Sequence, residues 1–338
     1  MSTLTYENCT LCPRNCNAPR QYGAAGFCHE PNFVRVASAC LHFGEEPLIT
    51  VFNGSGTIFI SGCNLGCAFC QNYQISQQGM GAELLPKDFA KVCLALEKAG
   101  AENINIITGS HTVPGIVEGL TEAKLRGLNL PICWNSSAYE KPETLELLKD
   151  IVNIWLPDFK TINPEVSKTL FKAPNYPQWA QDSILFMLEQ SPTILTQVQN
   201  PKTGEIKDKL QQGVIVRHLF LPGHLDDTIL TLQWIKDNVD GKAFISLMSQ
   251  YTPVAFKEEA KALERRKKTL EFIDNRLVSQ EEFQDLQEIL QAFDFEQVFY
   301  QELDEDTEWL PDFNRTQPFS YVLAKPIWHW RDGFITAS

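Results

Sequence analysis

The sequence predicts an α/β protein: a partial (βα)6, TIM-like barrel at residues 51–255, after a cysteine-rich segment at 1–50 and before an α/β extension at 256–338. Three observations predict it. Short apolar, β-branched runs alternate with amphipathic stretches from Gly56 to Met248, the rhythm of strand–helix units. Repeated crossovers of that length favour parallel strands. Six such units fit a barrel left open on one side, with a doubly wound open sheet as the competing architecture.

The elements follow in order. Cys9, Cys12, Cys16 and Cys28 crowd a loop-rich opening punctuated by Pro13 and the Gly23–Gly26 stretch. Four thiols in a segment with little core of its own suggest a metal staple, either zinc or a further iron–sulfur cluster, and a folding role before a catalytic one. Gly56–Ser61 (GTIFIS) is the first barrel strand. Lys87–Ala99 puts Phe89, Val92, Cys93 and Leu96 on one helical face, between Pro86 and Gly100. Strand Asn103–Thr108, a helix after Pro114, strand Leu130–Asn135, a helix through Glu143–Lys149 and strand Val152–Asp158 come next. A helical region ends near Gln190, and Gln199–Gln212 reads as a polar hairpin or loop around Lys202-Thr-Gly204. Strand Val214–Leu221, a helix over Thr228–Asn238 and strand Ala243–Met248 complete the barrel.

Beyond Pro253 the sequence gives helices at Lys257–Phe272 and Gln280–Ala292 and a short strand at Glu296–Tyr300. The tail turns acidic at Asp304 and then aromatic (Phe319, Tyr321, Trp328, Trp330), to pack on the outside or the open edge of the barrel. Arg265-Arg-Lys-Lys268 reads as a solvated helix face, and Cys40, Cys93 and Cys133 as small buried hydrophobes.

Composition narrows the function classes. Net charge is −13, which argues against a nucleic-acid partner. No run approaches a membrane span, and the opening MSTLTYENCT has no secretory pattern. Ten cysteines without such a pattern point to a reducing cytoplasm and to metal rather than disulfides.

The chemistry centres on Ser61–Ser76, SGCNLGCAFCQNYQIS, where Cys63, Cys67 and Cys70 form a C-x3-C-x2-C array on the loop leaving the first strand. An iron–sulfur cubane takes one ligand per iron, so three thiolates leave one iron open. Gly62 and Gly66 suit the wrapping, and Phe69 can shield one side of the cluster. Three of the four ligands of a zinc site are the other reading of the spacing. At later strand ends stand Gly109-Ser110-His111, Asn135-Ser-Ser137, Asp158-x-Lys160 and Arg217. Asp158 and Lys160 share a face of an extended segment. Arg217 alternates inward with Ile215 and Leu219, where a guanidinium calls for a carboxylate, while His218 has packing parity.

The array, with an aromatic residue before its last cysteine, resembles the radical S-adenosylmethionine (SAM) superfamily. Within it the chain is similar to iron–sulfur proteins related to pyruvate formate-lyase activating enzyme, from residue 9 to about 300. The matching text is Cys9-x2-Cys-Pro-Arg-x-Cys16, Gly44-Glu-Glu-Pro47, Gly54-x-Gly-Thr-Ile-Phe59, Ser61-Gly-Cys-Asn64, Cys70-Gln-Asn72, Asn135-Ser-Ser137, Leu156-Pro-Asp-Phe-Lys160, Arg217-His-Leu219, Leu221-Pro-Gly-His224 and Gln250-Tyr251. The resemblance implies a barrel of radical SAM type and a 4Fe–4S cluster on Cys63, Cys67 and Cys70. SAM then chelates the open iron and is reductively split to a 5′-deoxyadenosyl radical. It implies that Gly109, Ser110, Asn135, Asp158, Lys160 and Arg217 hold SAM, with Phe69 beside the cluster. A reducing flavodoxin or ferredoxin and a protein substrate carrying a glycyl radical are the implied partners. Another peptide or small-molecule substrate, or a non-catalytic metal protein, are the alternatives.

Overall fold

The computed structural model describes residues 6–303 and 309–335, so part of the acidic run from Asp304 lies outside the described residues. Its strands are β1 (Val34–His42), β2 (Ser55–Ile60), β3 (Ala82–Leu84), β4 (Ile104–Ile107), β5 (Ile132–Ser136), β6 (Ile154–Pro157), β7 (Ile194–Gln199), β8 (Ile206–Leu219), β9 (Phe244–Met248), β10 (Val298–Tyr300), β11 (Ala324–His329) and β12 (Gly333–Phe334).

The main sheet runs β10-β9-β8-β6-β5-β4-β2-β1-β11-β12. From β2 to β10 every neighbouring pair is parallel. The six predicted barrel strands are β2, β4, β5, β6, β8 and β9, in that spatial order. The sheet does not close: β10 and β12 are its two ends among the described residues. This is the partial barrel the alternation called for, and strands such as β2, buried along its whole length, are what a sheet covered on both faces requires.

Of the strands not read from the sequence, β1 and β11 matter most to the sheet. β1 pairs antiparallel with β2, and β11 pairs antiparallel with β1. The first and last segments of the chain therefore extend the barrel sheet, and the expected edge packing of the tail takes the form of strand addition. The polar stretch after Gln199 is indeed a hairpin, with β7 antiparallel to the first half of β8. The helix expected through Lys149 is α-helical only at Pro142–Leu145, beyond which three-residue bonds such as Leu148 N to Leu145 O tighten it into turns.

The barrel interior has a floor and a mouth. Leu48 and Ile49, from the short helix Pro47–Thr50, pack with Cys133, Ile154, Leu156, Ile215 and Phe244 as an apolar plug. Above it the inward positions turn polar (Asn105, Asn135, Asp158 and Arg217), so the parallel strands end in a lined cavity rather than a filled core.

Candidate functional site

That cavity measures about 580 Å3. Its wall includes Cys63, Cys67, Phe69 and Cys70 from the loop after β2, Asn135 to Ser137 at the end of β5, Asp158 and Lys160 after β6, and Arg217 and Leu219 on β8. The structure thus brings together most of the residues singled out from sequence. It sits within the size range of small-ligand pockets.

The cysteine loop is tightly folded. Gly62 and Gly66 both take positive φ, +81° and +73°. A Cβ on Gly62 would lie 2.5 Å from Glu30 Cγ and 2.9 Å from Cys28 O, so only glycine fits. Leu65 N donates to Cys63 Sγ at 3.3 Å, and Cys70 Sγ lies 3.3 Å from Ser76 Oγ. Burial pushes all three thiols up, opposed at Cys67 chiefly by the Lys160 ammonium. Phe69 packs edge-on against Phe171 and Tyr251, with ring centroids 5.9 and 5.8 Å away.

Among the described residues, no three His, Cys, Asp or Glu side chains close on a point suited to a single metal ion. A cubane asks for something else: each thiolate meets a different iron, so its three sulfurs stand farther apart than the ligands of one ion. Three thiols on one glycine-hinged loop, with a backbone N–H already on a sulfur, fit that group.

Opposite the cysteines lies a charged cluster. Arg217 Nε donates to Asp158 Oδ1 at 2.7 Å, Nη2 to Asn135 Oδ1 at 2.6 Å and Nη1 to Glu45 Oε2 at 3.3 Å. Lys160 Nζ holds Asp158 Oδ2 at 2.7 Å. Arg217, Asp158 and Lys160 are all mostly buried, so Asp158 and Lys160 form an ion pair of the cavity wall, not of the surface. Burial opposes the charge on all three, yet Arg217 and Lys160 hold the Asp158 carboxyl below its ordinary range, and Asp158 in turn raises both cations. Arg217 finds its carboxylate partners inside the chain. Its five N–H groups exceed these three bonds, leaving donors for a ligand.

Glu45 was not singled out as a site residue, although it stands in the matched Gly-Glu-Glu-Pro text. It also accepts from Asn105 Nδ2 at 3.2 Å and lies 4.0 Å from His42 Nδ1. Burial lowers His42 to about 4, so its ring is neutral at pH 7. The far wall comes from the C-terminal segment, where Trp309, Pro311, Phe319 and Leu323 line the cavity and Trp309 Nε1 donates to Thr252 Oγ1 at 3.0 Å.

Three expectations fare differently. Gly109 and Ser110 do not line the cavity. A Cβ on Gly109 would meet Ile116 and Trp134 at 2.4 and 2.6 Å, so this glycine serves helix–sheet packing, and Thr108 faces the cavity in its place. His111, expected on an exposed loop, is buried, with Nε2 2.9 Å from Ser61 O. Arg266, expected on a solvated face, donates to Glu258 and to Ala68 O instead. His218 is a packing residue, as its parity required: Nδ1 donates to Phe159 O at 2.8 Å and Nε2 accepts from Thr228.

Cys9, Cys12, Cys16 and Cys28 gather in one knuckle and are free thiols. A Cβ on Gly26 would lie 2.8 Å from Cys16 Sγ and 3.8 Å from Cys28 Sγ. Arg20 Nη1 donates to Cys9 Sγ at 3.4 Å, and burial pushes Cys12 up to about 12. Among the described residues the four sulfurs do not converge as the ligands of a single ion do, and no step is derived through a metal there. Cys40, Cys93 and Cys133 are buried, as read.

A family model described as the radical SAM superfamily matches residues 57–182. The Methanocaldococcus jannaschii protein MJ0674 is 32% identical over 269 residues, covering 77% of this chain and 71% of the relative. The chain belongs to the radical SAM superfamily. Among solved structures, two matches are of low similarity. Methylornithine synthase (PylB) aligns at TM-score 0.45 and 15% identity, over 73% of this chain and 70% of its own. Streptococcus suis SuiB bound to S-adenosylmethionine aligns at TM-score 0.43 and 13% identity, over 72% of this chain and 45% of its own, so the chain spans under half of SuiB. No helix among the described residues is long and apolar enough to cross a membrane.

Proposed function

We propose that this radical SAM protein reductively cleaves SAM at a 4Fe–4S cluster held by Cys63, Cys67 and Cys70, and turns the chemistry on a glycyl residue of a partner protein. The observation that carries the first part is the shared cavity: three thiols on one loop face a cluster of fixed charges across about 580 Å3. A 4Fe–4S cluster held by Cys63, Cys67 and Cys70 would supply the single electron for reductive cleavage of SAM and so the radical chemistry on the substrate.

The chain's own residues bind, orient and exclude water. Asp158 and Glu45 hold Arg217, whose spare N–H groups would bind a ligand carboxylate, while Asn135 fixes the tilt of the guanidinium. Asp158 holds Lys160 protonated beside the cysteine loop, where it balances thiolate charge. Phe69, Tyr251, Trp309 and Phe319 wall the cavity with apolar surface that keeps water from a reactive intermediate. The reductant fits a flavodoxin or ferredoxin. Residues 51–255 carry most of this machinery, with Glu45 from 1–50 and Trp309 and Phe319 from 256–338 completing the cavity.

The glycyl-radical part rests on resemblance to pyruvate formate-lyase activating enzyme, carried by Asp158-x-Lys160. Anaerobically reconstituted protein, given SAM and dithionite, is expected to release 5′-deoxyadenosine and methionine. Deuterium transfer from a labelled protein partner into 5′-deoxyadenosine, with a glycyl radical signal on that partner, supports the substrate. Label arriving instead from a small molecule or a non-glycine peptide position overturns it, and absence of 5′-deoxyadenosine overturns the cleavage reading.

A further inference from the structure

Two arginines outside the barrel strands grip the cysteine loop from behind. Arg14, in the N-terminal knuckle, donates from Nε to Asn64 O at 2.8 Å and from Nη2 to Leu65 O at 2.9 Å. Its remaining contacts go to Phe171 O at 2.9 Å and Lys172 O at 2.5 Å, carbonyls at the end of the helix Pro164–Phe171 that have no helical partner. The guanidinium lies 3.7 Å above the centre of the Phe27 ring, which fixes its plane. Arg266, from the helix Ala260–Leu270, donates to Ala68 O at 2.8 Å and to Gln77 Oε1 at 2.8 Å, while Gln77 Nε2 donates to Cys67 O at 3.0 Å.

The carbonyls of Asn64, Leu65, Cys67 and Ala68 are thereby all held by donors. In a trans peptide the C=O and the following N–H point in opposite directions. Holding Asn64 O on Arg14 therefore aims Leu65 N–H the other way, and that N–H donates to Cys63 Sγ at 3.3 Å. Hydrogen bonds to cluster sulfurs help set reduction potentials, and groups that orient ligands govern how firmly a metal is kept.

We propose that Arg14 is a positioning residue for the cluster: its forked grip on Asn64 O and Leu65 O fixes the peptide whose N–H donates to the Cys63 sulfur. Arg266 does the same service for the stretch between Cys67 and Cys70. The N-terminal knuckle is thus tied to the cysteine loop by geometry. The inference rests on the cluster assignment above, but not on the substrate.

The test compares anaerobically reconstituted wild-type protein with Arg14→Gln and Arg14→Lys, reading iron per chain, the midpoint potential and the electron paramagnetic resonance spectrum of the reduced cluster. SAM cleavage is read separately, so that failure of the catalytic reading leaves the comparison standing. Both variants are expected to retain the cluster more weakly, on the order of 10- to 100-fold, and to shift its potential negative, because a lysine ammonium cannot reproduce a planar fork. Arg14→Lys matching wild type while Arg14→Gln does not means that charge, not geometry, acts, and overturns the proposal. Wild-type iron content, potential and spectrum in Arg14→Gln also overturn it, as does a wild-type chain that takes up no cluster. Should Arg14→Gln fail to fold, Arg266→Gln is read against Arg265→Gln, an exposed neighbour on the same helix expected to behave as wild type. Equal cluster retention in those two overturns the proposal.

Discussion

Arg217 and Asp158 meet at 2.7 Å, Nε to Oδ1, and Lys160 holds the other oxygen of the same carboxylate at 2.7 Å. One anion thus pins two cations, from the end of β6 and from β8, at the wall of the cavity. Removing it leaves two buried positive charges with fewer partners. Asp158→Asn is expected to lower stability by about 3 kcal/mol, the low end for a broken buried pair because Glu45 still faces Arg217. Urea unfolding of the two proteins measures it, and an unchanged midpoint contradicts the arrangement.

The same substitution should matter less in acid. Asp158 has its folded value depressed, so its contribution is present above the ordinary carboxylate range and is lost as pH falls through the folded value. The gap between wild type and Asp158→Asn should therefore narrow below pH 4 and stay constant from pH 6 to 8. Urea midpoints across that range decide it.

His218 gives a second pH test. Burial lowers it to about 4 from an ordinary 6.5, so the native state resists the proton that the unfolded chain accepts. Its stabilising share is complete above pH 6.5 and is lost on descent towards pH 4. Relative to His218→Asn, wild type is expected to lose roughly 1.4 kcal/mol per pH unit inside that window and nothing further outside it. Parallel stability curves for the two proteins would contradict a buried neutral ring.

Gly62→Ala tests the hinge of the cysteine loop. At φ +81° an alanine is strained by roughly 1–2 kcal/mol, and its Cβ would run into Glu30 and Cys28 O. The variant is expected to unfold earlier in urea and to take up less iron on reconstitution. Wild-type values for both would mean that the loop tolerates another path.

Much of this was legible in the sequence, and the reasons for the rest are physical. β2 and the helix Pro86–Lys98 declare themselves through local pattern, periodicity and punctuation. Cys63, Asp158 and Arg217 were legible because each sits at a strand end or on an inward parity that a parallel barrel converts into a shared cavity. β1 and β11 were not: the pairing that joins them sets Ser38 against His329, far apart in the chain, and the Asp332-Gly333 turn that carries β11 into β12 was passed over. Glu45 and Arg14 stood in quoted motifs, yet their roles depend on what the fold sets opposite them. Arg266 looks like any member of a basic run until the helix register turns it towards Ala68. Gly109 misled for the converse reason: its place after β4 suggested a ligand, but Trp134 and Ile116 fill the space that a side chain would need.

The most direct measurement is made on Cys67→Ala. Wild-type protein, reconstituted without oxygen, is predicted to be brown, to hold close to four irons per chain and to release 5′-deoxyadenosine from SAM when reduced. The variant is predicted to lose the cluster and the release together while keeping its fold by circular dichroism. Continued SAM cleavage by Cys67→Ala, or a wild-type chain that binds one zinc in place of the cluster, would contradict the assignment of this loop.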